Sequence, residues 1–204
     1  MKKYLFVFCS IVMLKNIAFA QSALGRIKVD GKWAFIDSTG KFAFPSTYDG
    51  AQIFSEGLAA VRENGKWGFI DVKGKQVTPI HYEGAEPFAE GLGRVKQNGK
   101  WGYINKSGRI VIQPQFDKAG NFSGGLAPVK ENMQWGYIDT TSKVVIPIKY
   151  AGAHVFQHGV AMVKMAEKWG MIDRKGKFIV PCVFDGKNIK EFKSVGEDAS
   201  DDED

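Results

Sequence analysis

Gly65-Lys66-Trp67-Gly68-Phe69-Ile70-Asp71 runs into Val72-Lys73-Gly74-Lys75, continues as Gln76-Val77-Thr78-Pro79-Ile80-His81-Tyr82 and closes on Phe88-Ala89-Glu90-Gly91-Leu92. The phrase recurs along the chain. Trp33, Trp67, Trp101, Trp135 and Trp169 stand 34 residues apart at every step, and they are all five tryptophans of the 204 residues. Self-similarity at a fixed period of this size is a structural repeat, and it decides the architecture ahead of any local reading. Other columns keep step: Ile36, Ile70, Ile104, Ile138 and Ile172; Asp37, Asp71, Asn105, Asp139 and Asp173; Tyr48, Tyr82, Phe116, Tyr150 and Phe184. Phe54, Phe88, Phe122 and Phe156 form a second aromatic column that stops before the fifth unit.

Paired-helix repeats share this period, but they need long runs of helical periodicity. Here each candidate run is four to six residues long, bounded by Gly, Pro or Asn. Asn64-Gly65 and Asn98-Gly99 are hairpin signals, because a type I′ turn needs positive φ at both central residues. The unit therefore reads as a three-stranded meander: Leu58 to Glu63, Lys66 to Asp71 and Lys75 to Ile80, with a longer loop from Tyr82 to Gly91 leading onward. Side chains alternate along a strand, so Trp67 and Phe69 share one face while Gly68 and Ile70 share the other. Both faces look buried. The expected structural core is the five Trp together with Ile36, Ile70, Ile104, Ile138 and Ile172, with one indole tucked between successive meanders. Gly68, Gly102, Gly136 and Gly170 would admit a neighbouring unit closely, and Ala34 holds that place in the first unit. The fold class is all-β: five 34-residue three-stranded β-meander repeats, stacked as an open solenoid or a propeller-like array. One such sheet is marginal alone, whereas stacked units share a core.

The ends read differently. Lys2 and Lys3 precede an apolar run from Tyr4 to Leu14, and Ala18-Phe19-Ala20 offers a signal-peptidase site. Residues 1–20 are thus expected to be a signal peptide, 21–195 the repeat array and 196–204 an acidic disordered tail. Eleven apolar residues rise only ~16 Å as a helix, too short for a ~30 Å hydrocarbon core. No transmembrane segment is expected after cleavage, and the destination is periplasmic, envelope-associated or secreted. Cys182 would then be the one cysteine left, so no internal disulfide can form. The net charge is +6. The signal holds three lysines and no acid, which leaves +3, and the last eight residues hold six acids, so the body between carries +9. A basic body with an acidic tail is a real asymmetry.

Gly-Lys-Trp-Gly-Phe-Ile-Asp, the following Lys-Gly-Lys, then Val-x-Pro-x-x-Tyr and Phe-x-Glu-Gly-Leu together resemble the WG repeat (or KWG repeat) family of bacterial exported β-repeat proteins. The resemblance covers roughly residues 22 to 195. The departures are Ala34 for Gly, Met133-Gln134 and Glu167-Lys168 for Gly-Lys, and a weak final strand at Phe192 to Val195. The resemblance implies a β-repeat fold, export or envelope association, and no shared catalytic residue.

Chemistry-bearing constellations are sparse. His81, His154 and His158 lack flanking Cys or acid clusters, so no metal site, cofactor or catalytic residue is expected. The Asp/Asn column precedes a turn, where a side-chain oxygen accepts from turn N–H groups; Asn105 would serve equally. Lys32, Lys66, Lys100 and Lys168 precede the Trp, and Lys41, Lys75, Arg109, Lys143 and Lys177 follow the second turn. Lys28, Arg62, Lys96, Lys130 and Lys164 end the first strand of each meander and are the candidate polyanion-binding row. Two functions follow. One is a non-catalytic exported scaffold that mediates protein–protein interaction through the variable longer loops. The alternative is a glycan or cell-wall module for an anionic polymer such as an envelope polysaccharide. Nucleic acid is not an expected partner.

Overall fold

The structure, a computed structural model, describes residues 24–45 and 47–185. The expected signal peptide, the strand at Phe192 to Val195 and the acidic tail lie outside them. The described residues form five antiparallel sheets in chain order, with no helix among them. The first sheet is β1 (Gly25–Val29) and β2 (Lys32–Ile36). The second is β3 (Gly50–Ala51), β4 (Leu58–Glu63) and β5 (Lys66–Asp71). The third is β6 (Gly84–Ala89), β7 (Leu92–Gln97), β8 (Lys100–Asn105) and β9 (Ile110–Phe116). The fourth is β10 (Lys118–Ala119), β11 (Leu126–Glu131), β12 (Gln134–Asp139) and β13 (Val144–Tyr150). The fifth is β14 (Gly152–Ala153), β15 (Val160–Met165), β16 (Lys168–Asp173) and β17 (Phe178–Asp185). In the first two sheets the last strand is reduced to bridges, Trp33 to Tyr48 and Ile36 to Phe42, then Trp67 to Tyr82 and Ile70 to Gln76.

Each sheet is a meander, and the repeat adds one strand to the expected three. The segment read as a loop starts with a short strand, β3, β6, β10 or β14, that pairs with the strand after it: Ala51 with Val61, Ala85 with Val95, Ala119 with Val129, Ala153 with Val163. Three of these strands are two residues long, too short to show an alternating pattern, and in β6 Pro87 masks it, which is why the sequence hides them. The first hairpin turns follow expectation. Asn64 and Gly65 have φ of 50° and 75°, Asn98 and Gly99 52° and 74°.

The core lies between sheets. Four clusters join first to second, second to third, third to fourth and fourth to fifth. Each pairs the aromatic face of one sheet with the Val, Ile and Ala face of the next. Phe69, Tyr82 and Ala60 of the second sheet, for example, meet Ala85, Val95 and Ile104 of the third. The central knob is the residue two after each Trp. Phe35, Phe69, Tyr103 and Tyr137 are fully buried. Each meets the Phe column of the next unit edge-on: Phe54, Phe88, Phe122 and Phe156, with ring centroids 4.8, 5.0, 4.8 and 4.9 Å apart. Such edge-to-face pairs add about 0.5–1.5 kcal/mol beyond the area they bury. Tyr103 and Tyr137 also donate their hydroxyls to the carbonyls of Gly120 and His154, at 2.7 Å each. Burial raises both phenols well above their ordinary range.

The Trp-Gly dipeptide receives a different explanation from the expected one. A Cβ on Gly102 would stand 2.5 Å from the Ile112 carbonyl and 2.6 Å from the Pro114 nitrogen, and one on Gly136 would stand 2.7 Å from the Ile146 carbonyl and the Ile148 Cα. These atoms belong to the last strand of the same sheet, not to a neighbouring unit. That strand carries extra residues: Trp135 pairs with Tyr150 while Tyr137 pairs with Ile146. The bulge crosses over the glycine, so the glycine makes room inside its own sheet. In the first sheet Ala34 holds this place and is buried.

Candidate binding surfaces

The strand registers bring two sequence columns together. Lys28 lies opposite Trp33, Arg62 opposite Trp67, Lys96 opposite Trp101, Lys130 opposite Trp135 and Lys164 opposite Trp169. On its other side each Trp pairs with the aromatic column: Tyr48, Tyr82, Phe116, Tyr150 or Phe184. Every sheet thus carries a row of cation, indole and aromatic ring. The indoles are half buried; Trp33, Trp67, Trp101 and Trp135 sit at the margins of the inter-sheet clusters. The ring tips of Trp67, Trp101 and Trp169 lie against Gly50, Gly84 and Gly152 of the short strand. Arg62 and Lys28 lie 5.6 and 5.9 Å from the Trp67 and Trp33 ring centroids, within cation–π range. Two members of the candidate polyanion row, Lys28 and Arg62, are therefore engaged with indoles, and Lys164 pairs with Glu167 instead. Of the core isoleucines, Ile70, Ile104, Ile138 and Ile172 are buried, while Ile36 in the first sheet is half buried.

The remaining polar columns serve the repeat itself. Asp71 Oδ1 accepts from the N–H groups of Lys73 and Lys75, each at 2.9 Å, and Asn105 Oδ1 accepts from Ser107 and Arg109 at 3.0 and 3.1 Å. Asp37, Asp139 and Asp173 do the same in their own turns. The Thr141 hydroxyl and the turn N–H groups hold the Asp139 carboxyl below its ordinary value. A second acidic column caps the first hairpin. Asp49 Oδ2 accepts from Asn64 N–H at 2.8 Å and Asp117 Oδ2 from Asn132 N–H at 3.1 Å, while the other oxygen of each takes Lys32 or Lys100. The longer loops also join units. Ser55 and Ser123 donate to the carbonyls of Phe88 and Phe156 at 2.7 and 2.6 Å. Glu90 accepts from the Gly124 and Gly125 N–H groups at 2.6 and 2.8 Å. Much of the loop that looked available for partners is consumed in holding neighbouring sheets.

One buried ionic feature escaped the sequence reading. Arg94 and Glu86 face each other across β7 and β6, 3.6 Å apart and largely enclosed. Burial lowers the guanidinium and raises the carboxyl. Arg94 donates to the Ala119 carbonyl in the next sheet, as Arg26 does to Ala51. The available signal was an Arg at a repeat position that holds Arg26 in the first unit and Ala60, Pro128 or Met162 in the others. The histidines are dispersed. His81 stacks on Tyr82 at 4.0 Å, and the His154 ring lies 4.9 Å from that of Trp169. Among the described residues no group of three or more His, Cys, Asp or Glu could hold a metal ion. Cys182 is a half-buried free thiol packed against the fourth-to-fifth cluster, and burial raises its pKa.

Apart from scattered side chains such as Ile27, Ile53 and Met133, exposed apolar residues recur on the last strand of the sheets or the segment in its place. Ile110 and Val111, Val144 and Val145, and Phe178 and Ile179 are exposed, as is Phe42 at 60%. Immediately before these positions stand Lys41, Lys75, Arg109, Lys143 and Lys177, all exposed and without a salt bridge among the described residues.

No curated protein matches this sequence. Among solved structures, the chain is similar to PorZ, a bacterial surface component of the type-IX secretion system of Porphyromonas gingivalis, at 8% identity and a TM-score of 0.44, over 84% of this chain and 27% of PorZ. It therefore spans about a quarter of that protein. It is also similar to a eukaryotic initiation factor, at 13% identity and a TM-score of 0.49 over 78% of this chain and 51% of that one. The computationally designed Ika4 protein follows at 10% identity and 0.40, over 64% and 88%. The family model for the WG-containing repeat matches residues 33–67, 67–101, 101–132, 135–169 and 169–194, one match starting at each Trp. The chain belongs to the WG-containing repeat family.

Proposed function

We propose that this repeat protein is a non-catalytic interaction scaffold that works outside the cytoplasm, at the cell envelope or beyond it, and holds protein partners along the free edges of its sheets. The observation that carries this reading is the exposed row on the last strands: a cation at each of five equivalent positions, followed by Phe42, Ile110, Val144 or Phe178, with Gln76 in the second unit. In the third, fourth and fifth sheets β9, β13 and β17 end the sheet order, so one side of each has no described strand beside it. A free strand edge with exposed apolar side chains suits an extended peptide, which gains backbone hydrogen bonds and side-chain contacts together. The neighbouring cations favour acidic residues in that peptide. Placing the interaction here, rather than in the longer loops, follows from the loop contacts to the next unit.

A second reading, an anionic glycan or other envelope polymer, is supported by the even repetition of unpaired Lys and Arg. Titration of immobilised protein with extended peptides separates the two. Peptides combining acidic and apolar residues should bind, and Ile110→Asp with Val144→Asp should weaken them at least tenfold. Binding that ignores both substitutions and vanishes between low and high salt would favour the polymer and reject the peptide.

A further inference from the structure

At each of three successive junctions the structure repeats one set of complementary parts, and the two ends of the array carry the unused halves of that set. In the second, third and fourth sheets the short strand supplies three things to the sheet it starts. It pairs with the next strand, covers the buried valine there, and brings an acid that caps the first hairpin. Val61, Val95 and Val129 are fully buried beside Ala51, Ala85 and Ala119. Asp49, Glu83 and Asp117 accept from Asn64, Asn98 and Asn132 N–H. In the first sheet β1 pairs with β2 alone among the described residues, its equivalent Ile27 is 40% exposed, and no described carboxylate accepts from the Asp30 N–H as Asp49 does from Asn64.

The other end has the opposite parts. Asp185 occupies the position of Asp49 and Asp117 and takes Lys168 on Oδ1, as they take Lys32 and Lys100. Its Oδ2 has no hydrogen-bond partner among the described residues, where Asp49 and Asp117 use theirs on the next hairpin. Gly186 follows, aligned with Gly50, Gly84 and Gly152. The aromatic face of the fifth sheet is open as well. Phe184 is 48% exposed, whereas Tyr48, Tyr82, Phe116 and Tyr150 are buried by the sheet that follows each of them. Charge agrees: β1 carries Arg26 and Lys28, and the residues past Asp185 end in six acids among the last eight.

We propose that copies of this chain associate head to tail, the fifth sheet and residues 185–187 of one copy completing the first sheet of the next. By the repeat alignment Gly186 would fall opposite Lys28 and Lys187 opposite Ile27 of the next copy, with Asp185 Oδ2 accepting from its Asp30 N–H and the Phe184 face covering its Ile27 and Ile36. The occupant is a second copy, because Ile27 and Phe184 both stand exposed in one chain, so docking needs no rearrangement of the described sheets. The contact is heterologous, and repetition gives a linear or large cyclic assembly rather than a two-fold dimer.

The test uses the chain from Gln21 onward with Cys182→Ser. One preparation carries Lys28→Cys, another Gly186→Cys, and a third carries both. Mixing the first two should give a disulfide-linked heterodimer well above that formed with a Thr141→Cys control, and the third should give a ladder. Sedimentation should show mass rising with concentration, and Ile27→Lys should weaken association by roughly tenfold or more, the loss of one buried aliphatic contact. Ile27 is exposed in the single chain, so this variant should keep its far-ultraviolet spectrum. A fast-migrating monomer from the double-cysteine chain, without heterodimer from the mixture, would mean that the chain closes on itself and would overturn the proposal. Monomers at every concentration with no disulfide above the control would overturn it equally.

Discussion

Val129 in the fourth sheet and Ile27 in the first occupy the same repeat position, yet the valine is fully buried and the isoleucine is exposed. Tyr150 and Phe184 make the same contrast at the other end. Chemical type is conserved in each pair, and local backbone is too: every first hairpin turns at a positive-φ residue, from Asp30 to Ala166. What differs is the neighbour. A unit's own sheet has two faces and buries neither by itself. Its core is made at the junctions, and a terminal unit has one junction where an interior unit has two. Stability in such an array is a sum of unit and nearest-neighbour terms.

The largest test of that contrast lies at the buried aromatic knob. Tyr137→Ala removes a fully buried ring, its edge-on contact with Phe156 and its bond to His154, and is expected to cost about 3–5 kcal/mol. Met171→Ala, the same position in the fifth sheet, where the side chain is only half buried, should cost less than about 2 kcal/mol. Urea denaturation of both variants reads the difference. Equal losses would mean that the junction is not the source of stability.

The glycine after Trp gives the next effect. Gly136→Ala forces a Cβ to 2.7 Å from the Ile146 carbonyl and the Ile148 Cα. It should cost about 1–3 kcal/mol or more, since both atoms are backbone and cannot swing aside. Ala34→Gly in the first sheet should change stability by about 1 kcal/mol or less. A neutral Gly136→Ala would show that the bulge in β13 has room to shift.

These contrasts also show what the sequence could disclose. The 34-residue step, the second and third strands of the meander, the hairpins at Asn64-Gly65 and Asn98-Gly99 and the Asp/Asn turns were all legible, because each depends on residues close in the chain. The short opening strand was not, since Gly50–Ala51 is too short for a pattern. The purpose of the glycine after Trp was misread because a bulge in the same sheet and a neighbouring sheet both demand a missing Cβ. The central knob was hidden by the tryptophans, whose invariance drew attention although they are only half buried. On the candidate surface, the cation rows could be listed from sequence, but strand register alone says which row faces an indole and which stays free. Arg94 and Glu86 meet through a pairing between strands of which one was read as loop.

The smallest effect concerns acid. The Asp139 carboxyl is held below its ordinary value by the Thr141 hydroxyl first and by turn N–H groups. A depressed folded pKa contributes stability that is present above the unfolded value, near 3.9, and lost as pH falls through the folded one. Asp37, bonded by Thr39, behaves alike. Asn105 holds the same turn without a charge. Asp139→Asn should therefore keep the turn at neutral pH and make unfolding less acid-sensitive below about pH 4, measured as the shift of the acid-unfolding midpoint. An unchanged midpoint would mean that the charge at Asp139 contributes nothing.

The account rests on cores made between sheets, and native-state hydrogen exchange at low protein concentration tests it most directly. Amides of β8 and β12, each in a sheet covered on both sides, should exchange slowest, and those of β1 and β17 fastest, with protection falling from the middle outward. Equal protection in all five sheets, or slowest exchange in β1 and β17, would contradict it.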